Sequence, residues 1–519
     1  MRQIGRREFI VGAASAVVLA ACSGGDDDTS APAASTTSSL GPTTTRRAPA
    51  LPNDPFGLGV ASGDPRPGSV VLWARLAPNP LAEDGLGGMP SDPVDVIWEV
   101  GADDRFTRMV ARGVEVADQG AGHSLHVVAD GLEPATDYLY RFTVGEWTSP
   151  VGRTRTLPAF DAAPERFALA IANCQMLDTG RYAAYRHMQD EDLDLVVHLG
   201  DYIYEYPGPR ALPDRVPASL ADFRLRYASY RSDPELLAAH ARFPFMCTWD
   251  DHEVVNNYMG DAVLDGRPPE EVAELRAHAY RAWWEYLPVR IPAPESADVP
   301  IYGHTDIGTL IRLYMLDTRQ FADVPPCRDG GAVADYGDCA DRTLDRSLLG
   351  AEQEQWFADA TNDSEATWNI VGNPVALSGI DGGTDASAFY LDCWDGYPEA
   401  RLRFLDTLAQ VDNPVVLTGD YHAGMVLDAH RRPFEPDSDV IATEFLSPPI
   451  SSALFPADVS ARTPQLRQQI NAHGYLTVTV EPDRLTAAFR ILEDVANADS
   501  AIRTEATWHV DSGSPRARR

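Results

Sequence analysis

Lysine is missing from this sequence. All 43 basic residues are arginine, set against 77 Asp and Glu, and the formal net charge is −34. A surface so acidic offers no broad positive face, which argues against nucleic acid or an anionic membrane as a bulk partner. Part of the excess could instead be carboxylates that hold cations. Long hydrophobic runs are also lacking. The N-terminal one has about 12 residues, short of the ~20 of a membrane-spanning helix, and no later segment is long and apolar enough to span. Cysteine is scarce, with six in 519 residues. Cys327 and Cys339 flank the Gly/Asp-rich loop CRDGGAVADYGDC, which makes a local bridge the best pairing; Cys22, Cys174, Cys247 and Cys393 cannot be paired from spacing. No internal repeat is visible.

The length suits two or three domains. Residues 1–22, MRQIGRREFIVGAASAVVLAAC, read as an export signal: a positive start, an apolar run, then small residues. Arg6-Arg7 followed by Phe9 and Ile10 resembles the twin-arginine type, which makes the twin-arginine export machinery an expected partner. Leu19–Cys22 resembles a bacterial lipobox, which would place a lipid anchor on Cys22 and the protein at the cell surface. Residues 23–52 are a Ser/Thr/Pro/Ala tether with too little apolar surface to fold. Residues 53–158 alternate as short β runs (VVLWARL, VDVIWEV, TDYLYRFTVG) and are expected to form a small antiparallel sandwich. Over residues 164–495 apolar strands alternate with helical stretches, an α/β organisation with strands buried on both faces. Residues 496–519 read as a polar tail.

Five of the α/β strands end in residues able to bind metal or move protons: Cys174; Asp201 with Tyr204; Asp250, Asp251 and His252; Asn373; Asp420 with His422. In α/β sheets the ligand crevice lies beyond the carboxyl ends of the strands, so the five sets could meet. The physical reading is a two-metal site in which Asp201 bridges. Two such cations clamp a phosphate, generate a hydroxide and stabilise the leaving oxygen. Cys174, Tyr204 and His422 suit a transition metal; Asp251, Asn373 and Asp420 offer oxygens for Ca²⁺, Mg²⁺ or Mn²⁺. A tyrosine ligand, whose unperturbed pKa is about 10, asks for a strong Lewis acid such as Fe³⁺.

GDYIY resembles the GDxxY block of the purple acid phosphatases, in which the Asp bridges and the Tyr binds ferric iron. WDDHEVVNNY stands where metallophosphatases carry GNH(D/E). That maps Asp251 onto the Asn ligand and His252 onto the histidine that contacts phosphate. GDYH stands in place of GHxH and maps Asp420 and His422 onto the last ligands; Cys174 in ANCQ takes the place of the usual first Asp. Together with GVASGDP at 59–65, MLDTRQF at 315–321 and WDGYPEAR at 394–401, these blocks resemble the PhoD-like alkaline phosphatases over about residues 54–490. The resemblance implies a fibronectin-like β-sandwich ahead of an αββα metallophosphatase sandwich, an Fe³⁺/Ca²⁺ site (the second metal open to Mg²⁺, Mn²⁺ or Zn²⁺), and phosphoester hydrolysis outside the cytoplasm. Asn373 departs from the pattern, since relatives are expected to carry Gln-containing blocks there.

Each residue also has an ordinary reading. Cys174 taken alone would be a small buried hydrophobe. Asp250 reads as a cap or an acceptor behind the ligands, and Asn256 and Asn257 as caps or ligands. Glu253 is expected to orient His252, and His198 to be a satisfied buried histidine. Arg319 either pairs with phosphate as a bidentate donor or forms a salt bridge. Asp395 and Tyr397 either line the pocket or make a turn. The leading expectation is a monomeric phosphoesterase with a metal-bound hydroxide as nucleophile, with His252 and Arg319 as catalytic residues. A phospholipase D-like phosphodiesterase is the second reading, with nucleic acid entering only as substrate. A surface-binding lipoprotein with an inactive domain is the third, and the intact donors at nearly every block oppose it.

Overall fold

The computed structural model describes residues 50–263, 266–327, 333–335, 339–383, 386–435, 437–455 and 457–519. The expected signal and most of the tether lie outside these residues.

Two mixed sheets face each other. In the ten-stranded sheet, Phe167–Ala172, Leu195–Leu199 and Pro244–Thr248 run parallel side by side. In the seven-stranded sheet, Ile311–Met315, Trp368–Asn373, Pro414–Thr418 and Val440–Leu446 do the same. Strand alternation sorts the side chains. Phe167, Leu169 and Ile171 point between the sheets, where they join Leu313, Ile370 and Leu417 in one core. Ala168, Ala170 and Ala172 point outward, beneath a helical layer that includes Ala183–Met188 and Pro269–Tyr286. On the far side Tyr314, Val371 and Val416 pack on Phe357 and Phe404 of the helices Gly350–Asn362 and Pro398–Leu408. The layers therefore run helix–sheet–sheet–helix, and strands covered on both faces account for their near-continuous apolar sequences.

Strands of residues 53–158 form two layers around a core of Leu72, Val96, Val127 and Phe142. One layer is not separate from the rest of the chain. Val60–Arg66, Ser69–Arg75 and Ser124–Asp130 extend the ten-stranded sheet, because Val60–Arg66 pairs in parallel with Pro244–Thr248. The GVASGDP block shows why. Gly63 lies opposite Phe245, and a Cβ there would come within 2.6 Å of the Phe245 carbonyl oxygen and 2.3 Å of that of Pro288. The strand can dock only with glycine at this point.

The polar tail expected over 496–519 is instead structural. Ile502–Asp511 pairs with Arg484–Leu492, and Ala517–Arg518 adds a short edge strand. Ala506, Trp508 and Val510, two residues apart, face the inter-sheet core. Cys327 and Cys339 are disulfide-bonded, and Cys174, Cys247 and Cys393 are free thiols. The Trp-rich helix Pro269–Tyr286 is core: Tyr280 stacks on Trp249 at 4.0 Å, bracing the turn that follows Pro244–Thr248.

Candidate metal centre

The carboxyl ends of the parallel strands from both sheets converge, and the turns that follow are unusual. Cys174 (φ 52°), Asp201 (57°), Asp420 (59°) and His422 (55°) all sit in the left-handed region. Each such non-glycine residue costs of order 1–3 kcal/mol unless its surroundings hold it, and such outliers gather at functional sites. The surroundings here do hold it. The buried Glu253 carboxylate accepts the backbone N–H groups of Asp201 (3.1 Å), Tyr202 (2.6 Å) and Asp250 (2.9 Å), tying two strand-end turns together. Cys174 N–H donates to Gly200 O at 3.2 Å. Gly200 has φ 100°, and a Cβ on it would meet Asp250 N at 2.5 Å, which is why a glycine must precede the aspartate in HLGDYIYE.

Three overlapping groups result, in each of which the donor atoms lie within 4.8 Å of one another: Cys174, Asp201 and His422; Asp201, Asp251 and His252; Asp250, Asp251 and Asp420. Asp201 belongs to the first two and Asp251 to the last two. The Tyr204 hydroxyl joins the first group, donating to Asp201 Oδ2 at 2.6 Å and lying 3.1 Å from His422 Nε2. Ser452 Oγ lies 2.7 Å from both that hydroxyl and the Cys174 carbonyl. Asp201 Oδ1 and Asp251 Oδ1 are buried and accept no hydrogen bond among the described residues. Orphaned carboxylate oxygens at such depth are costly unless a cation compensates them.

The electrostatics point the same way. Burial, reinforced by neighbouring acids, pushes Asp201 and Asp420 well above the usual carboxylate range. Asp250 is raised to about 6, chiefly by burial, although Arg319 opposes it. Burial also raises Asp251, but His252 and Arg319 outweigh it and hold this carboxyl at about 2. Burial would lower His252, yet Asp251, Asp201 and Glu205 overcome it and raise the imidazole well above its usual pKa. His422 is lowered to about 4 by burial and by His252, which leaves it neutral, as a ligand must be. Crowded carboxylates that resist ionisation become stable anions once cations sit among them. The donor types also divide as metals would require, with thiol, phenol and imidazole on one side and carboxylates on the other.

Two expected site residues behave otherwise. Asn373 ends its strand, but its Nδ2 donates to Val375 O at 2.5 Å and its Oδ1 accepts from Trp394 Nε1 at 3.2 Å. Both atoms of its carboxamide are thus engaged within the fold, with one lone pair of Oδ1 left over. Arg319 follows the salt-bridge alternative. It is fully buried, donates through Nε and Nη2 to Asp250 (2.5 and 3.0 Å), and reaches Asp392 through Nη1 at 3.3 Å. No free fork remains for a phosphate. Glu253 clamps backbone; Glu205, not singled out in the sequence, is the carboxylate on His252 Nδ1 at 2.6 Å. Asn257 donates its N–H to Asp251 Oδ2 at 2.6 Å. Asp395 holds Arg401 and the Ile380 N–H, and Tyr397 donates to Asp323 O, so both serve turns. His198 is buried as expected, but neither ring nitrogen has a hydrogen-bond partner among the described residues.

A helix–sheet–sheet–helix sandwich with such a cluster at its strand ends defines an enzyme of the phosphoesterase class. Comparison with known proteins gives the family. The PhoD-like phosphatase description matches residues 169–489, and its N-terminal domain description matches residues 42–158. Alkaline phosphatase D of Bacillus subtilis (strain 168) is 41% identical over 491 residues, covering 90% of this chain and 83% of that protein. A solved structure of PhoD superposes with a TM-score of 0.86 at 39% identity, covering 91% of this chain and 93% of that one. The chain belongs to the PhoD-like phosphatase family.

Proposed function

We propose that the protein is an exported, metal-dependent phosphoester hydrolase. Cys174, Asp201, Tyr204 and His422 would hold Fe³⁺, and Asp201, Asp251 and Asp420 would hold Ca²⁺, with Mg²⁺, Mn²⁺ or Zn²⁺ as alternatives for the second cation. The observation that carries this reading is the orphaned oxygen Asp201 Oδ1, inside a donor set divided by softness. Bound there, the cations supply charge to a phosphate and make a water acidic enough to attack it.

The chain's own residues do the rest. Protonated His252, held at Nδ1 by Glu205, has a donor within 4.8 Å of Asp201 and Asp251 and gives its proton to the departing oxygen. Arg319 acts as a positioning residue that neutralises Asp250 and Asp392 behind the ligands. Export through the twin-arginine machinery and anchoring at Cys22 rest on the residue pattern of 1–22, and put the substrate outside the cytoplasm. The enzyme would act as a monomer, with nucleic acid entering only as a possible phosphodiester substrate. The test is hydrolysis of para-nitrophenyl phosphate against bis-para-nitrophenyl phosphate, with and without Ca²⁺, by wild type and His422→Ala. Faster monoester turnover that His422→Ala loses supports a phosphomonoesterase. Diester preference moves the substrate class. No turnover on either ester with metal present overturns the reading.

A further inference from the structure

The cavity that opens on the cluster measures ≈ 320 Å³, at the lower end of the roughly 300–1,000 Å³ of small-molecule sites. Its floor includes Asp392, Asp420 and His422, and one wall is aromatic: Tyr390, Tyr421 and Phe455. The three rings already touch. Tyr421 and Phe455 lie 4.8 Å apart, Tyr390 and Tyr421 5.8 Å, and Tyr390 and Phe455 6.0 Å. They pack edge-to-face and tilted, at 89°, 72° and 49°, as one aromatic cluster. Tyr421 is its buried backing, at 7% exposure, and Tyr390 and Phe455 are half-buried and line the cavity. Phe455 is fixed relative to the cluster because its N–H donates to His422 O at 3.1 Å.

The charges of this cavity select further. Among the described residues no arginine lines it, so a second phosphate or a carboxylate on the substrate meets no positive charge from them. Neither acid is free for a cationic group. Asp392 is engaged by Arg319 at 3.3 Å, and Asp420 faces both Arg319, at 3.9 Å, and the Asp250–Asp251 group. What remains is the aromatic wall beside His422, faced by the carboxamide residues Asn256 and Asn257.

We propose that Tyr390, Tyr421 and Phe455 form the leaving-group subsite, and that it takes an uncharged, flat ring carried on the ester oxygen. The preferred substrates are phosphoesters of aryl or other planar-ring alcohols rather than esters of small aliphatic alcohols. This rests on the phosphoesterase reading above and adds the substrate class to it. Tyr390 and Phe455 are specificity residues, since they touch the group that leaves and none of the reacting atoms.

Phosphonates test the subsite without the bias of leaving-group reactivity, because they are not hydrolysed. Inhibition constants of phenylphosphonate, methylphosphonate and inorganic phosphate would be measured on the metal-loaded enzyme, on Phe455→Ala and Tyr390→Ala, and on Phe455→Tyr. Phenylphosphonate should bind about tenfold tighter than methylphosphonate. That ratio should fall towards one in the two alanine variants and persist in Phe455→Tyr, a pattern that a general loss of folding would not give. Equal inhibition by the two phosphonates, or a ratio that survives both alanine substitutions, overturns the subsite while leaving the phosphoesterase reading intact. If inorganic phosphate and both phosphonates fail to inhibit and no ester is turned over, the phosphoesterase reading falls and the subsite falls with it.

Discussion

Arg319 decides between two physical roles that the sequence leaves equal. Its guanidinium is fully buried, forks onto Asp250 at 2.5 and 3.0 Å and touches Asp392 at 3.3 Å. Arg319→Met keeps the length and apolar bulk but removes the charge, which leaves the buried Asp250, Asp251 and Asp392 and the half-buried Asp420 without it. Removing one partner of a buried pair costs about 3–5 kcal/mol. For a folded unit of about 470 residues the unfolding entropy is roughly 1 kcal/mol/K, so Tm should drop by about 3–5 °C. The assay is thermal unfolding followed by circular dichroism in EDTA, so that no added cation replaces the lost charge. Asp250→Asn should cost less than Arg319→Met, because Arg319 keeps Asp392. The double variant should be more stable than the sum of the two losses predicts, with a coupling on the order of 1–3 kcal/mol. If Arg319→Met unfolds with wild-type and only KM for the ester rises, Arg319 is a phosphate ligand and its positioning role is refuted.

Other parts of the structure give equally direct expectations. Glu253→Gln turns an acceptor of three backbone N–H groups into a group that must leave at least one of them unpaired. It should cost about 1–3 kcal/mol in stability and more than tenfold in turnover, and a fully active variant would show that the strand-end turns hold themselves. Glu205→Gln removes the charged partner of His252 Nδ1; kcat should fall about 10- to 100-fold with KM little changed, and unchanged kcat would remove Glu205 from the proton path. Asp64 lies far from this chemistry in the chain, and burial raises its carboxyl to about 6 despite the Arg290 N–H. A raised acid pKa means that the folded state prefers the protonated form, so the penalty is absent below about pH 4 and complete above about pH 6. Asp64→Asn should therefore raise Tm at pH 8, with the gain vanishing as the pH falls towards 4; a gain independent of pH would refute this.

Much of the site is legible because metal-type donors at strand ends are rare in apolar surroundings. Asp201, Tyr204, Asp251, His252, Asp420, His422 and Cys174 all follow strands whose sequences are nearly continuous hydrophobic runs, and the structure brings all seven together. What the sequence hides is the second partner of each group. Glu205 sits one residue past Tyr204 and looks like any acid in an acidic protein; only the turn that follows Asp201 brings it to His252. Ser452 and the rings of Tyr390, Tyr421 and Phe455 come from segments with no signature, and their roles arise from packing across the sheets. Asn373 has the expected position at a strand end, and the sequence does not show that Trp394, 21 residues on, donates to its oxygen. Residues 502–511 are a further lesson. Arg, Glu, Thr and His outnumber the apolar residues, so the segment reads as polar, although Ala506, Trp508 and Val510 carry the alternation of a half-buried strand.

The most direct test of the central claim is the turnover of a phosphoester by metal-loaded wild type and by Asp201→Asn, both shown to be folded by circular dichroism. Asp201 is shared between two of the donor groups and its free Oδ1 has no other purpose in the fold. Asparagine should lower turnover by more than about a hundredfold and reduce the metal retained after dialysis. An Asp201→Asn protein that turns over the ester and keeps its metal as wild type does would mean that the chemistry takes place elsewhere.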